Sequence, residues 1–412
     1  MIIGNKLLDY KNLKGNDSKV GERKINAQFF RQPKYYSRFS CMGGSCPVSC
    51  CIAWRVDWDN NEIEKLRKAE CSDHLRELID TSFVKIDDEK CAVKMTDKGR
   101  CPFLTEDNFC QIQKELGEEY LSYTCRTYPR HSIVSGNYVI NYCNLSCCRV
   151  MDMLCSDSDC MKLENHTFVQ NHCLECTISD KKMDLINHPE LKFRHQLFEF
   201  FYEILSDESH SLETSIILGA LAAQKLSEFI DKGMCDRIPE IIKAIKPQIC
   251  NEANVHNVEQ IKPHMGRKFI FAIMLNNELL KSDLLDNISE NGEIMDTKYI
   301  MGAEKFNKAF ADRPFALRNI ALNLWLELKM PFMNNDFDLF NNYCYFTAAV
   351  AEIKFLGAAI FAAENDPEKT FMEVSAYVVR ALSHNSNKVK NVVNILKDAH
   401  CTSPAYIAAI IK

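Results

Sequence analysis

Sixteen of the twenty cysteines in this 412-residue chain lie between Cys41 and Cys176, and the run opens as Cys41-x4-Cys46-x3-Cys50-Cys51. Thiols at that density are bridged, metallated or reactive, so they dictate what this segment folds around. Residues 177–412 hold only Cys235, Cys250, Cys344 and Cys401. A cysteine-rich head therefore precedes a body of ordinary composition. At 46% hydrophobic and 26% charged residues, the chain reads as globular, with length enough for a sizeable core.

The redox setting decides between disulfides and metal. Met1-Ile2-Ile3 leads at once into Gly, Asn and Lys rather than into an apolar signal segment. The most apolar late stretch, 345–363, is interrupted by Glu352 and Lys354 and has the period of a buried helix rather than a membrane span. The expectation is a cytoplasmic protein, where thiols stay reduced, so metal or redox chemistry is the first reading of the cluster. The net charge of -6 argues against a general nucleic-acid binder. Residues 1–40 carry nine Lys and Arg against three acids, and 1–28 read as a flexible, solvated basic leader.

The expected fold class is α-rich with short β elements: a cysteine-rich metal domain over 29–180, then an all-helical domain over 181–412. Trp54, Val56 and Trp58 alternate with polar residues, the period of a half-buried strand, and Asp59 to Glu62 offers a capping box for a helix reaching Glu70. Residues 110–123 have the spacing of one amphipathic helix, and 133–140 read as a hairpin around Gly136. Beyond Leu191 the periodicity is helical. Phe193, Leu197, Phe200, Phe201 and Ile204 share one face, and further helices are expected at 267–281, 314–330, 336–364, 368–384 and 387–399.

Iron–sulfur clusters and zinc both need thiolates converging on one point, and one short-spaced loop can supply several. Cys41 to Cys51 is such a loop, with Gly43 and Gly44 for tight turns. Zinc usually shows a C-x2-C knuckle, which here is found only at Cys173-x2-Cys176. Vicinal pairs such as Cys50-Cys51 and Cys147-Cys148 rarely give both sulfurs to one metal. Spacing thus favours an iron–sulfur cluster over zinc, with a thiol redox relay third.

The motifs Phe39-Ser40-Cys41, Cys46, Cys50-Cys51 with Trp54, Cys101-Pro102-Phe103-Leu104 and Cys110-x-Ile112-Gln113 occur in that order. They continue through Leu116-Gly117-Glu118, Tyr120-Leu121-Ser122-x-Thr124-Cys125-Arg126-x-Tyr128-Pro129-Arg130 and Leu145-Ser146-Cys147. The ordered set resembles the flagellin lysine-N-methylase family, related to the wider group of CxxCxxCC iron- or zinc-chelating domains. The resemblance implies a cytoplasmic enzyme moving a methyl group from S-adenosylmethionine to lysine amines of flagellin, and a [4Fe-4S] cluster (zinc being the alternative). It carries over eight candidate ligands: Cys41, Cys46, Cys50, Cys51, Cys101, Cys110, Cys125 and Cys147. Of these, Cys41, Cys46, Cys50 and Cys125 are the leading four. Cys148 departs from the pattern, standing where a proline is expected.

Arg126, Tyr128 and Arg130 are the catalytic candidates, because paired guanidiniums can fork a carboxylate or place positive charge beside a cluster. The structural alternative pairs the arginines with Glu118 or Glu119. Trp54 and Trp58 read as core before they read as a lysine channel, His384-Asn385 as a helix cap, and His131 as a weaker proton-transfer candidate. A conventional nucleotide loop is missing, since Gly219 and Gly357 sit inside helical patterns. The radical-type C-x3-C-x2-C is missing too, because Ala53 stands where its third thiol would fall. The rival functions are a non-enzymatic zinc- or iron-binding interaction module and an iron–sulfur redox protein. Neither nucleic acid nor membrane is an expected partner.

Overall fold

The computed structural model describes residues 29–47, 49–52, 56–135, 138–165, 185–276, 286–332, 338–363, 367–383, 386–400 and 402–412. The leader 1–28, Trp54, the Cys173-x2-Cys176 pair and His384-Asn385 lie outside them. In the head, β1 (Phe29–Pro33) and α1 (Lys34–Arg38) lead into the cysteine loop. Next come β2 (Asp57–Asp59), α2 (Asn60–Lys68), α3 (Asp73–Thr81), β3 (Phe83–Lys85) and β4 (Lys90–Val93). They are followed by α4 (Gln111–Leu116), α5 (Tyr123–Thr127), β5 (Arg130–Ser135), β6 (Tyr138–Cys143), α6 (Cys148–Ser156) and β7 (Leu163–Asn165).

The body runs through α7 (Arg194–Ser206), α8 (Leu212–Asp231), α9 (Ile238–Ile249), α10 (Glu252–Glu259) and α11 (Arg267–Asn276). After a small ribbon, β8 (Ser289–Glu290) and β9 (Glu293–Ile294), it continues with α12 (Asp296–Ala309) and α13 (Phe315–Glu327). The last helices are α14 (Leu339–Ala363), α15 (Pro367–Ser383), α16 (Ser386–Asp398) and α17 (Pro404–Ile411). The fold is α-rich with short strands, as the periodicity predicts.

The head holds two sheets. One has the order β5-β6-β1-β7, in which β1 lies parallel to β6 and the β5–β6 hairpin sets Ile133 opposite Ile140. The other, β2-β4-β3, is antiparallel. Each belongs to a different core. Val56, Trp58, Ile63, Leu66, Leu75, Ile79, Phe103 and Ile112 form a small one, where Trp58 meets Phe83 edge-on with ring centroids 5.3 Å apart. The four-stranded sheet and α6 instead share the large core of the helical body. The cysteine-rich stretch thus contributes to both.

Local chemistry explains where the elements start and stop. The Asp59 side chain accepts the Glu62 N–H at 2.7 Å, and Glu62 Oε2 accepts the Asp59 N–H at 3.0 Å, completing the expected capping box. The other oxygen of Glu62 accepts the Tyr123 N–H at 2.7 Å, so one carboxylate fixes the start of α2 and of α5. The single helix expected over 110–123 is instead α4 followed by a 3-10 turn, Glu118–Tyr120, with α5 starting at Tyr123, which is a correction to the sequence reading. Gly117 takes φ +93, ending α4, and Ser122 starts α5 by accepting the Cys125 N–H at 3.1 Å. Of the strand expected at 54–58, residues 54 and 55 lie outside the described residues, and the described part is β2, Asp57–Asp59, with Trp58 buried.

Head and body meet along α13, which is buried nearly all round. Asn319, Asn323 and Glu327 recur every fourth residue and so share one face. Asn319 Nδ2 donates to Leu154 O and Asp157 O, both at 3.0 Å, satisfying carbonyls at the end of α6. Asn323 Nδ2 donates to Cys143 O at 2.9 Å, and its Oδ1 accepts the Tyr35 hydroxyl at 2.5 Å. Glu327 Oε2 accepts the Leu145 N–H at 2.8 Å.

Behind α13, α14 is long and apolar enough to cross a membrane by length and composition, yet 83% of its apolar window is buried inside the protein. Gly219 and Gly357 mark close helix crossings: a Cβ would press on Tyr343 at the first and sit 2.7 Å from the Phe306 ring at the second. Lys354 of α14 reaches Glu213 Oε1 at 2.5 Å and Ile411 O at 2.7 Å. Glu352 has no such outlet. It is fully buried, and neither carboxylate oxygen has a hydrogen-bond partner among the described residues.

These contacts carry two consequences for stability. Asn323→Leu removes the nearer of two side-chain donors to Cys143 O and the acceptor of the Tyr35 hydroxyl, and should cost about 1–3 kcal/mol in urea unfolding; an unchanged midpoint would refute the joint. Burial raises the Glu352 carboxyl to about 8, above its unfolded value. The folded state then holds the proton more tightly, so this group's contribution is fully present below the unfolded pKa and lost as pH rises through about 8. Glu352→Gln should flatten that slope and gain roughly 2–4 kcal/mol on wild type between pH 5 and pH 9.

Candidate metal centre

Four of the eight candidate thiols form one neighbourhood: Cys51, Cys101, Cys110 and Cys125. Cys125 is influenced electrostatically by Cys51, Cys110 and Cys101, Cys101 by Cys51 and Cys110, and Cys110 by Cys51. Every pair in the quartet is therefore within electrostatic reach. The backbone brings them together. The Cys101 N–H donates to Cys51 O at 2.8 Å, Ile52 bridges Arg100, and Leu104 bridges Cys110. Cys125 comes from α5, anchored through Glu62 and Ser122.

The sulfurs sit among backbone donors. Cys110 is the N-cap of α4, and the backbone amides of Gln113 and Ile112 act to lower its thiol pKa. The Phe103 N–H does the same for Cys101. Such donors favour thiolate and tune a bound metal. Burial nonetheless outweighs them. It pushes Cys101 up to about 12 and raises Cys110 and Cys125 as well. Cys51 is the exception: a hydrogen bond from Cys50 brings it down to about 7, with help from Ser49 and Arg100. Its neighbour Cys50, the donor in that bond, is raised correspondingly.

The other thiols gather at the start of α6. Cys147 is its N-cap, the backbone amides of Val150 and Arg149 act to lower its thiol pKa, and it is influenced by Cys148 and Cys41. Cys46 Sγ stands 3.3 Å from Cys148 Sγ. Cys50 senses both Cys125 and Cys147, so it lies between the two groups. Of the four leading candidates, Cys125 falls in the quartet, Cys41 and Cys46 in the second group, and Cys50 between. Cys148 is absent from the candidate set, and its marks in the sequence are its place in the vicinal pair Cys147-Cys148 and its departure from the expected proline. Among the described residues no three His, Cys, Asp or Glu side chains close tightly enough to hold a single ion.

The catalytic candidates part company. Arg126 is exposed on α5 and acts electrostatically on Glu62. The Tyr128 hydroxyl lies 3.0 Å from Ser146 Oγ, beside Cys147. Arg130 Nη2 donates to Phe39 O at 3.2 Å, its guanidinium lies 4.9 Å from the Phe39 ring centroid, and its charge acts on Cys143. Its Nε is buried with no hydrogen-bond partner among the described residues. Neither arginine forms an ion pair with Glu118 or Glu119 among those residues. His131 stacks on Tyr142 and lies 2.7 Å from the Asn144 amide nitrogen.

Residues 198–410, just over half of the chain, match the model of the FliB lysine N-methylase C-terminal domain. The chain belongs to that family. The matched region begins in α7 and includes α13, whose polar face holds the thiol-bearing head. Among curated proteins, the lysine-N-methylase of Salmonella typhimurium (strain LT2) is 24% identical over 239 residues, 56% of each chain. That of Salmonella choleraesuis matches to the same extent. The flagellar biosynthetic protein FliU of Salmonella muenchen is 28% identical over 147 residues, 35% of this chain and 86% of that protein. The chain thus spans just over half the length of the two lysine-N-methylases. No solved structure matches.

The two thiol groups predict a ligand pattern that metal analysis can read. After anaerobic loading with iron and sulfide, or with zinc, serine at Cys51, Cys101, Cys110 or Cys125 should abolish binding. Cys41→Ser and Cys91→Ser should keep it. Loss of metal in Cys41→Ser with retention in Cys101→Ser would overturn the quartet.

Proposed function

We propose that this protein is a lysine N-methyltransferase acting on a protein substrate, with S-adenosylmethionine as donor and a [4Fe-4S] cluster held by Cys51, Cys101, Cys110 and Cys125. The observation that carries the activity is the match of residues 198–410 to the FliB lysine N-methylase C-terminal domain. The names of its relatives, lysine-N-methylase and a flagellar biosynthetic protein, support flagellin as the substrate.

The donor set fits a cluster. It offers four thiols within electrostatic reach of one another and one thiol already lowered toward thiolate. Zinc, which takes four thiolates at ~2.3 Å each, is the alternative occupant of the same thiols. When bound, a cluster would supply redox capacity and iron sites with affinity for amino and carboxylate groups.

The chain's own residues have separate tasks. Direct attack on a methyl group needs a neutral lysine amine, and a fixed positive charge favours that form. Arg130 supplies such a charge, and its unpaired buried Nε–H is a donor that a carboxylate on the methyl donor would satisfy. Tyr128, through Ser146, holds the segment leading into Cys147. Arg126 remains solvated.

Full-length protein, loaded anaerobically, should add methyl groups to flagellin lysines when given S-adenosylmethionine, as read by peptide mass spectrometry. Arg130→Gln should lower the rate about 10–100-fold while keeping the metal. The rate of direct attack should rise with pH as the amine deprotonates. Metal binding without lysine methylation would favour the interaction-module reading instead.

A further inference from the structure

Cys46 and Cys148 are 102 residues apart in sequence, yet their sulfurs are 3.3 Å apart. Both are present as thiols, Cys46 half-buried and Cys148 buried at the first turn of α6. A disulfide needs an S–S separation of about 2.05 Å, so the sulfurs must approach by little more than 1 Å, within the reach of side-chain rotation. The loop that carries Cys46 is held on its other side as well. At Gly43 (φ +56) a Cβ would sit 2.9 Å from the Phe109 ring, and at Gly44 it would sit 2.6 Å from Asp107 O. The Cys41–Cys51 loop therefore lies between the turn preceding Cys110 and the start of α6, where Cys46 meets Cys148.

We propose that Cys46 and Cys148 form a reversible dithiol–disulfide couple, a modification site for low-molecular-weight disulfides. This holds whether or not the chain methylates lysine. The more exposed Cys46 attacks as thiolate on one sulfur of the small disulfide, releasing one thiolate and leaving a mixed disulfide. Cys148 then attacks the Cys46 sulfur, forming the protein disulfide and releasing the second thiolate. The protein loses two protons and two electrons, and the small disulfide gains them as two thiols. Oxidation ties the loop bearing Cys50 and Cys51 covalently to α6. In a reducing compartment the bond is transient, the usual behaviour of a redox-sensing pair. Cys41 lies near Cys147, and the 3.3 Å sulfur contact joins Cys46 to Cys148.

The test is thiol mapping on the full-length, metal-loaded protein, equilibrated anaerobically in glutathione buffers of increasing oxidised fraction. After alkylation, peptide mass spectrometry should find Cys46 linked to Cys148 as the first cross-link to appear, reversed by dithiothreitol. Cys148→Ser should halt at a glutathione adduct on Cys46, and Cys46→Ser should leave Cys148 unmodified. A first cross-link between other cysteines in wild type would overturn the proposal, and that readout needs no variant. So would loss of bound metal in both Cys46→Ser and Cys148→Ser with native melting temperature, which would make the pair metal ligands.

Discussion

The arrangement depends on polar side chains that α13 carries into an apolar interior. A buried amide or carboxylate without partners costs several kcal/mol, so Asn319, Asn323 and Glu327 tolerate few positions of the head. Their partners are backbone atoms: the carbonyls of Leu154 and Asp157, the carbonyl of Cys143, and the N–H of Leu145. Apolar packing alone would let the head slide on the body. These bonds hold β6 and α6 in register against α13, and with them the segment from Cys143 to Cys148.

That register has a consequence for the thiols. The second thiol group rides on the large core through α6, whereas the quartet rides on the small core around Trp58 and Phe103. The Cys41–Cys51 loop reaches both, with Cys46 at Cys148 and Cys51 within the quartet. Movement of one core relative to the other must therefore strain this loop. Cys50, sensing both Cys125 and Cys147, sits where the two meet.

Much of the body is legible in the sequence because helical periodicity is a local property. The expected helices at 314–330, 336–364 and 368–384 match α13, α14 and α15 to within three residues at each end. The capping box at Asp59 and Glu62 is legible for the same reason. The stretch 110–123 reads as one helix because its apolar spacing continues across Gly117, whose positive φ breaks the helix even though the apolar pattern persists beyond it. The eight candidate thiols come from motif order, which says nothing about grouping. Cys148 escapes that reading because no local pattern reveals that residue 46 returns to residue 148.

The sequence by itself determined that the chain is helical in its second part, that its first part is rich in cysteine, and which family it resembles. These rest on period, composition and motif order, all of which are written locally. The tertiary structure decided which thiols are neighbours, which asparagines join head to body, and that Arg130 rather than Arg126 is turned inward. Each of those is a contact between segments tens to hundreds of residues apart. Such contacts are fixed by what the two cores can bury and by which backbone groups would otherwise lack partners, and no short stretch of chain contains that information.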